Sequence, residues 1–293
     1  MAADALLLGA NGTFGHVAAR IFARHDTIAT AREASGSVIA FDVTKPDADL
    51  ETLLERIKPG GLIVNAVAVP ASDVQSGAPA ASHERALAIN ALFPHRLARL
   101  AGNLGQRVVH ISTDAVFASN PDGRSEFDPL SPQDFYAVSK LAGELSYPHT
   151  LTIRCSLVGP PAPGRARGLW AWIAGAEKNA SIRGYTNHIW SGVTTRQLAE
   201  ACVALVDAQA FARARQHGAI HHLAPNAAVS KYELVRAIAA CVRPDLVVEA
   251  LRADTDVCRV LASRIGALNG LTPHYRDWAA AIDAAAHQFQ PTT

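Results

Sequence analysis

Residues 5–15 constrain the fold of this chain more than any other stretch. Ala5-Leu6-Leu7-Leu8 is an unbroken apolar run, and Gly9-Ala10-Asn11-Gly12-Thr13-Phe14-Gly15 follows it at once. A short apolar run closed by glycines reads as a strand buried on both faces. From Thr13 to Arg24 the apolar residues Phe14, Val17, Ala18, Ile21 and Phe22 fall on one face of a helix. Strand, glycine turn and helix in direct succession form the opening unit of a parallel sheet, because parallel neighbours need a crossover helix.

The alternation continues. Thr27–Thr30 and Val38–Phe41 read as strands, Pro46–Ile57 as a helix closed by Lys58-Pro59-Gly60-Gly61, and Leu62–Val64 as another strand. A helical stretch from Glu84 to Leu100 leads to a strand at Val108–Ile111. The expected fold is therefore α/β: a doubly wound, Rossmann-like parallel sheet covered on both faces, with a smaller mixed C-terminal substrate lobe. Beyond Arg154 the pattern loosens. Val158-Gly159-Pro160-Pro161-Ala162-Pro163-Gly164 reads as a flexible break, followed by helices at Leu169–Glu177, Thr195–Val206 and Lys231–Val242 and a strand at Ile220–His222. The expected division is 1–155 for the sheet domain and 156–293 mostly for the second lobe, with about 193–222 returning to the first.

Composition removes several classes of function. A net charge of +1 over 293 residues offers no field for nucleic acid or an anionic membrane. No apolar run approaches the roughly 20 residues that span a bilayer, and Met1-Ala2-Ala3-Asp4 lacks the positive flank of a signal peptide. A cytoplasmic protein is expected. Cys155, Cys202, Cys241 and Cys258 are scattered and read as reduced, packed thiols. His188, the His221-His222 pair and His274 have no carboxylate or cysteine at ligand spacing, so no metal is expected. Trp170, Trp172 and Trp190 read either as packing residues or as platforms for a base or sugar.

The chemistry is carried by two places. Glycines between a strand and a helix let the backbone approach a pyrophosphate that the helix N-terminus attracts, so the GxxGxxG turn points to a dinucleotide. About 20 residues on, where an acid would hold a ribose 2′-hydroxyl, stands Arg32, which suits a 2′-phosphate and slightly favours NADP over NAD. The second place is Tyr136-Ala137-Val138-Ser139-Lys140. Spacing of i and i+4 puts Tyr136 and Lys140 on one helix face, where an ammonium lowers the cost of a phenolate. Ser112-Thr113-Asp114 lies at the C-terminal end of a buried strand, where doubly wound sheets hold ligands, and offers a hydroxyl to the same oxygen.

These motifs, with Asn65-Ala66-Val67-Ala68, Ser112 to Phe117, Tyr136 to Glu144, Ile153 to Gly159 and Arg259 to Ser263, resemble the extended short-chain dehydrogenases/reductases, most of all the dTDP-4-dehydrorhamnose reductases. The resemblance runs nearly end to end. It implies a catalytic triad of Thr113, Tyr136 and Lys140. It implies Gly9, Asn11, Gly12, Thr13 and Phe14 around the cofactor phosphates, Asp42 and Val43 at the adenine, and Ala66, Val67 and Ala68 along the cofactor. The implied activity is NAD(P)H-dependent reduction of a keto group on a nucleotide-activated sugar; the sequence leaves the oligomeric state open, with a homodimer one arrangement it allows. A 4-epimerase with tightly bound NAD and a non-catalytic cofactor-binding subunit are the alternatives. Two departures fall in the substrate region. Ala115 replaces the usual Tyr, and Gly184 to Thr195 replaces the family's Asp-Gln-x-Gly-x-Pro-Thr segment.

Overall fold

The computed structural model describes residues 2–273, 275 and 277–287. In the first half the chain runs β1 (Ala3–Leu8), α1 (Gly15–Phe22), β2 (Thr27–Ala31), β3 (Ile39–Ala40), α2 (Asp47–Leu54), β4 (Ile57–Asn65), α3 (Ala80–Ala86), a π-helical stretch (Leu87–Leu92), α4 (Phe93–Asn103), β5 (Arg107–Thr113), α5 (Phe135–Ala142) and β6 (Thr150–Cys155). The second half adds β7 (Leu157–Val158), α6 (Gly168–Ala174), β8 (Ser181–Tyr185), β9 (His188–Trp190), β10 (Val193–Thr194), α7 (Thr195–Ala204), α8 (Ala208–Gln216) and β11 (Ile220–His222). It closes with β12 (Val229–Ser230), α9 (Lys231–Val242), β13 (Val247–Leu251), β14 (Val257–Arg259) and α10 (Trp278–His287).

Seven strands form one all-parallel sheet in the order β11-β6-β5-β4-β1-β2-β3. This is the expected doubly wound sheet. The period of two along β1 divides its apolar side chains between two cores. Ala5 and Leu7 pack with Val17, Phe22, Leu198 and Cys202 of α1 and α7. Leu6 and Leu8 pack on the opposite face with Leu50, Leu54, Phe93 and Leu97 of α2 and α4. Late in the chain, β10, α7, α8 and β11 join this core: α7 packs on α1, and β11 extends the sheet beyond β6. A third core forms the smaller mixed lobe, where Leu234, Val235 and Ile238 of α9 meet Trp170, Ile182, Trp190 and Trp278.

The structure corrects four local readings. Pro46 caps α2 with an extended backbone rather than entering it, and the helix ends at Leu54. Lys58-Pro59-Gly60-Gly61 does not close that helix but belongs to β4, where the Gly60 amide donates to the Gly105 carbonyl at 2.8 Å. The helix read from Glu84 to Leu100 starts at Ala80 and carries the π-helical stretch in its middle. The Val158–Gly164 break is partly packed: β7 pairs in parallel with β10, and Ala162 is buried.

Candidate active site

The glycine turn has a geometry that explains its composition. Gly9 has φ +93°, a region side chains other than glycine rarely enter. A Cβ on Gly15 would lie 2.0 Å from the Gly9 carbonyl oxygen, so the first turn of α1 reaches the end of β1 only because residue 15 has no side chain. The amides of Gly9 and Ala10 both donate to the Thr30 carbonyl, tying the turn to β2. No side chain caps α1, although the His16 and Val17 amides already donate to the Gly12 and Phe14 carbonyls, and the positive end of its dipole lies at the glycine turn. A Cβ on Gly12 would meet nothing within 4 Å except the Gly9 carbonyl, so open space lies beside it.

That space is a cleft lined by Gly9, Asn11 and Gly12 from the turn, Arg32 from the end of β2, Asp42 and Val43, and Ala66, Val67 and Ala68 after β4. The Asn11 amide donates to the Glu33 carbonyl at 3.3 Å and closes one rim. Asp42 accepts from the amide and hydroxyl of Thr44, bonds that hold its carboxyl below the usual range. Arg85 and Arg165 enter the same cleft beside Arg32. Sequence reading did not find these two, because the fold alone gathers cations from positions 32, 85 and 165. Phe14 is buried and lines the adjoining catalytic cleft, whereas Thr13, in the same turn, lines neither.

The adjoining cleft holds Thr113 at the end of β5, Tyr136 and Lys140 on α5, Cys155 at the end of β6 and Ser156 just after it. Asp134 caps α5 by accepting from the Ala137 amide at 2.7 Å, which sets where the tyrosine enters the cleft. Burial pushes the Tyr136 phenol up to about 12, partly offset by the Thr113 hydroxyl in hydrogen-bonding contact with it. Thr113 also accepts from the Ala115 amide at 3.2 Å, so its hydroxyl is fixed in place. Lys140 is buried, and burial draws its ammonium down to about 8. Its Nζ donates to the Ile111 carbonyl at 2.7 Å and lies 3.3 Å from His110 Nε2. Burial likewise pushes the Cys155 thiol up to about 12, so it is an inert part of the wall.

Next to Thr113, Ser112 donates to Glu144, which forms a buried two-pronged pair with Arg154 at 2.8 and 2.6 Å. Sequence reading passed over Asn90, whose signal was a polar residue inside the apolar Ala88-Ile89-Asn90-Ala91-Leu92. The π-helical stretch aims its fully buried side chain at the Val69 amide and carbonyl and at the Ser139 hydroxyl.

On the lobe side, a second space is lined by Trp172, Arg183, Tyr185, His188 and Lys231. Trp190 links this space to the catalytic cleft: its Nε1 donates to Ser156 Oγ at 2.7 Å, and the Lys231 ammonium lies 4.7 Å from its ring centre. Trp170 is packing and Trp190 a buried bridge, while Trp172 is half exposed at the rim. His221 and His222 are buried, each within hydrogen-bonding distance of a backbone carbonyl, and His188 packs against Tyr185. His274 lies outside the described residues. Among the described residues no three of His, Cys, Asp or Glu gather as a metal site.

Residues 3–257 match the family described as the RmlD substrate binding domain. The chain belongs to this family. A dTDP-4-dehydrorhamnose reductase of Mycobacterium tuberculosis is 31% identical over 96% of this chain and 91% of its own length. A crystal structure of the dTDP-4-dehydrorhamnose reductase of Bacillus anthracis in complex with NADP superposes with a TM-score of 0.74, covering 98% of this chain and 99% of that one at 18% identity. A structure of a hypothetical dTDP-4-dehydrorhamnose reductase from Sulfolobus tokodaii gives 0.69 at 23% identity, over 89% of this chain and 92% of that one. Family membership agrees with the resemblance to the extended short-chain dehydrogenases/reductases, and the superpositions with the Rossmann-type fold.

Proposed function

We propose that this protein is an NAD(P)H-dependent oxidoreductase that reduces a keto group on a nucleotide-activated sugar, with NADPH favoured. The observation that carries the reading is the placement of Thr113, Tyr136 and Lys140 in one cleft that adjoins the glycine turn. The uncapped α1 terminus and the open side of Gly12 fit a pyrophosphate. Arg32, with Arg85 and Arg165 in the same cleft, fits a 2′-phosphate. Residues 1–155, joined by Arg165, hold the cofactor, and most of 156–293 receives the sugar nucleotide, whose base meets the aromatic rim of Trp172 and Tyr185.

When bound, the dinucleotide supplies a hydride to the carbonyl carbon. Tyr136, protonated at all physiological pH values by its burial, donates its phenolic proton to the carbonyl oxygen as charge develops there. Thr113, whose hydroxyl donates to Asp114 Oδ1 at 3.2 Å in the free protein, would turn that hydrogen to the same oxygen and fix the face presented. Lys140 holds the cofactor ribose and provides the positive charge against which the phenolate forms.

Among the described residues no helix is long and apolar enough to cross a membrane. The same reading makes the protein cytoplasmic and a homodimer, a contact supported by the exposed Leu87 and Leu92 of the π-helical stretch and Val138 of the adjoining α5. The test is NADPH oxidation by the purified protein with dTDP-4-dehydrorhamnose and a panel of other nucleotide keto-sugars. Oxidation in proportion to alcohol formed is expected. Interconversion of 4-epimers without net oxidation would replace the reading with an epimerase, and cofactor binding without turnover of any sugar would replace it with a binding subunit.

A further inference from the structure

Behind Lys140 lies a chain of buried polar groups that the reaction itself does not use. Asn65, at the end of β4, and His110, on β5, are both fully buried. The Val67 amide donates to Asn65 Oδ1 at 3.2 Å. Asn65 Nδ2 lies 3.1 Å from His110 Nδ1, and His110 Nε2 lies 3.3 Å from Lys140 Nζ.

The direction of every bond in this chain follows from its first member. A backbone amide only donates, so the Asn65 atom facing Val67 is the carbonyl oxygen, and its NH2 faces His110. An NH2 group only donates, so His110 Nδ1 carries the lone pair. Burial, together with the neighbouring Lys140 and more distant His95, keeps this imidazole neutral. Its single proton therefore sits on Nε2 and points at Lys140. An ammonium has no lone pair to receive that N–H, whereas a neutral amine accepts it and still donates to the Ile111 carbonyl.

We propose that Asn65 and His110 are positioning residues that fix one imidazole tautomer, present a donor to Lys140, and hold that lysine ready to release its proton. The draw on Lys140 acts in the same direction as its burial and against Glu144, two residues past α5, and Cys155 on β6, which favour its charged form. The function proposed above needs this lysine still charged at neutral pH, which a value of about 8 allows; the tautomer and its effect on Lys140 do not rest on that function. Because Val67 lines both clefts, the chain also ties the backbone beside the cofactor space to the charge of the catalytic lysine.

The experiment is an NMR titration of the full chain without substrate or cofactor. Nitrogen-15 histidine labelling reads the His110 tautomer, assigned by the loss of its signals in His110→Phe. Lysine labelled at the ε carbon reads the Lys140 titration, assigned in Lys140→Met. In the wild type His110 is expected in the Nε2–H form. In Asn65→Leu, which carries no charge, the Nδ1–H form should appear and Lys140 should titrate upward by about half a unit or more, since an Nε2 lone pair then favours the ammonium. An Nδ1–H tautomer in the wild type would overturn the proposal, as would a changed tautomer that leaves the Lys140 titration unmoved. If Asn65→Leu does not fold, Asn65→Ala, which also has no donor to offer Nδ1, supplies the same comparison. None of these readings requires turnover, so they stand apart from the test of the function itself.

Discussion

Replacing Lys140 by Met should abolish activity without weakening the fold at neutral pH, and the pH dependence of its stability should expose the reason. The lysine titrates near 8 in the folded chain against an ordinary 10.5, a depression of about 2.5 units. At 1.36 kcal/mol per unit, carrying its charge in the fold costs about 3 kcal/mol. This depressed base opposes folding fully below pH 8, and the cost fades as pH rises from 8 towards 10.5. Met removes the charge but leaves the Ile111 carbonyl without its donor, a loss of about 1.5–3 kcal/mol. The net change at pH 7 is therefore expected between zero and about 2 kcal/mol in favour of Met. Between pH 7 and pH 9.5 the wild type should gain about 2 kcal/mol relative to the variant, because the folded lysine then sheds its proton while the unfolded one keeps it. Urea unfolding at the two pH values measures this directly. A difference that does not change with pH, or a Met variant less stable by more than about 2 kcal/mol at pH 7, would refute the reasoning.

Three other outcomes are expected. Tyr136→Phe should lower turnover roughly 10²–10⁴-fold while the dissociation constant for NADPH, read from cofactor fluorescence, stays within about twofold. Arg32→Ala should weaken NADPH about tenfold or more and leave NADH unchanged; equal effects on both would make Arg32 a surface residue without a role in selection. Glu144→Gln should destabilise the fold by about 3–5 kcal/mol in chemical denaturation, since Arg154, only 2% exposed, would keep a buried charge without its partner.

What the sequence determined by itself is the framework and the reacting pair. Ala5-Leu6-Leu7-Leu8 followed by spaced glycines admits little besides a buried strand that turns tightly into a helix, and β1 and α1 have that form. The i, i+4 spacing of Tyr136 and Lys140 places them together on any helix, and α5 carries both. Such features depend on neighbours along the chain, where propensity and period act directly.

The tertiary structure decided what depends on distant partners. Lys58-Pro59-Gly60-Gly61 has the composition of a helix terminator, yet pairing beside β1 and a hydrogen bond to Gly105 draw it into β4. Leu157 and Val158 sit in a glycine- and proline-rich context and become a strand because Val193 and Thr194 lie alongside. Arg85 and Arg165 carry no local mark of binding and come to line one cleft with Arg32 only once the sheet is assembled. His110 looked like one more residue of a buried strand. Its proton is placed by an amide 43 positions away, through Asn65, because a buried polar group must find its partner wherever the fold provides one.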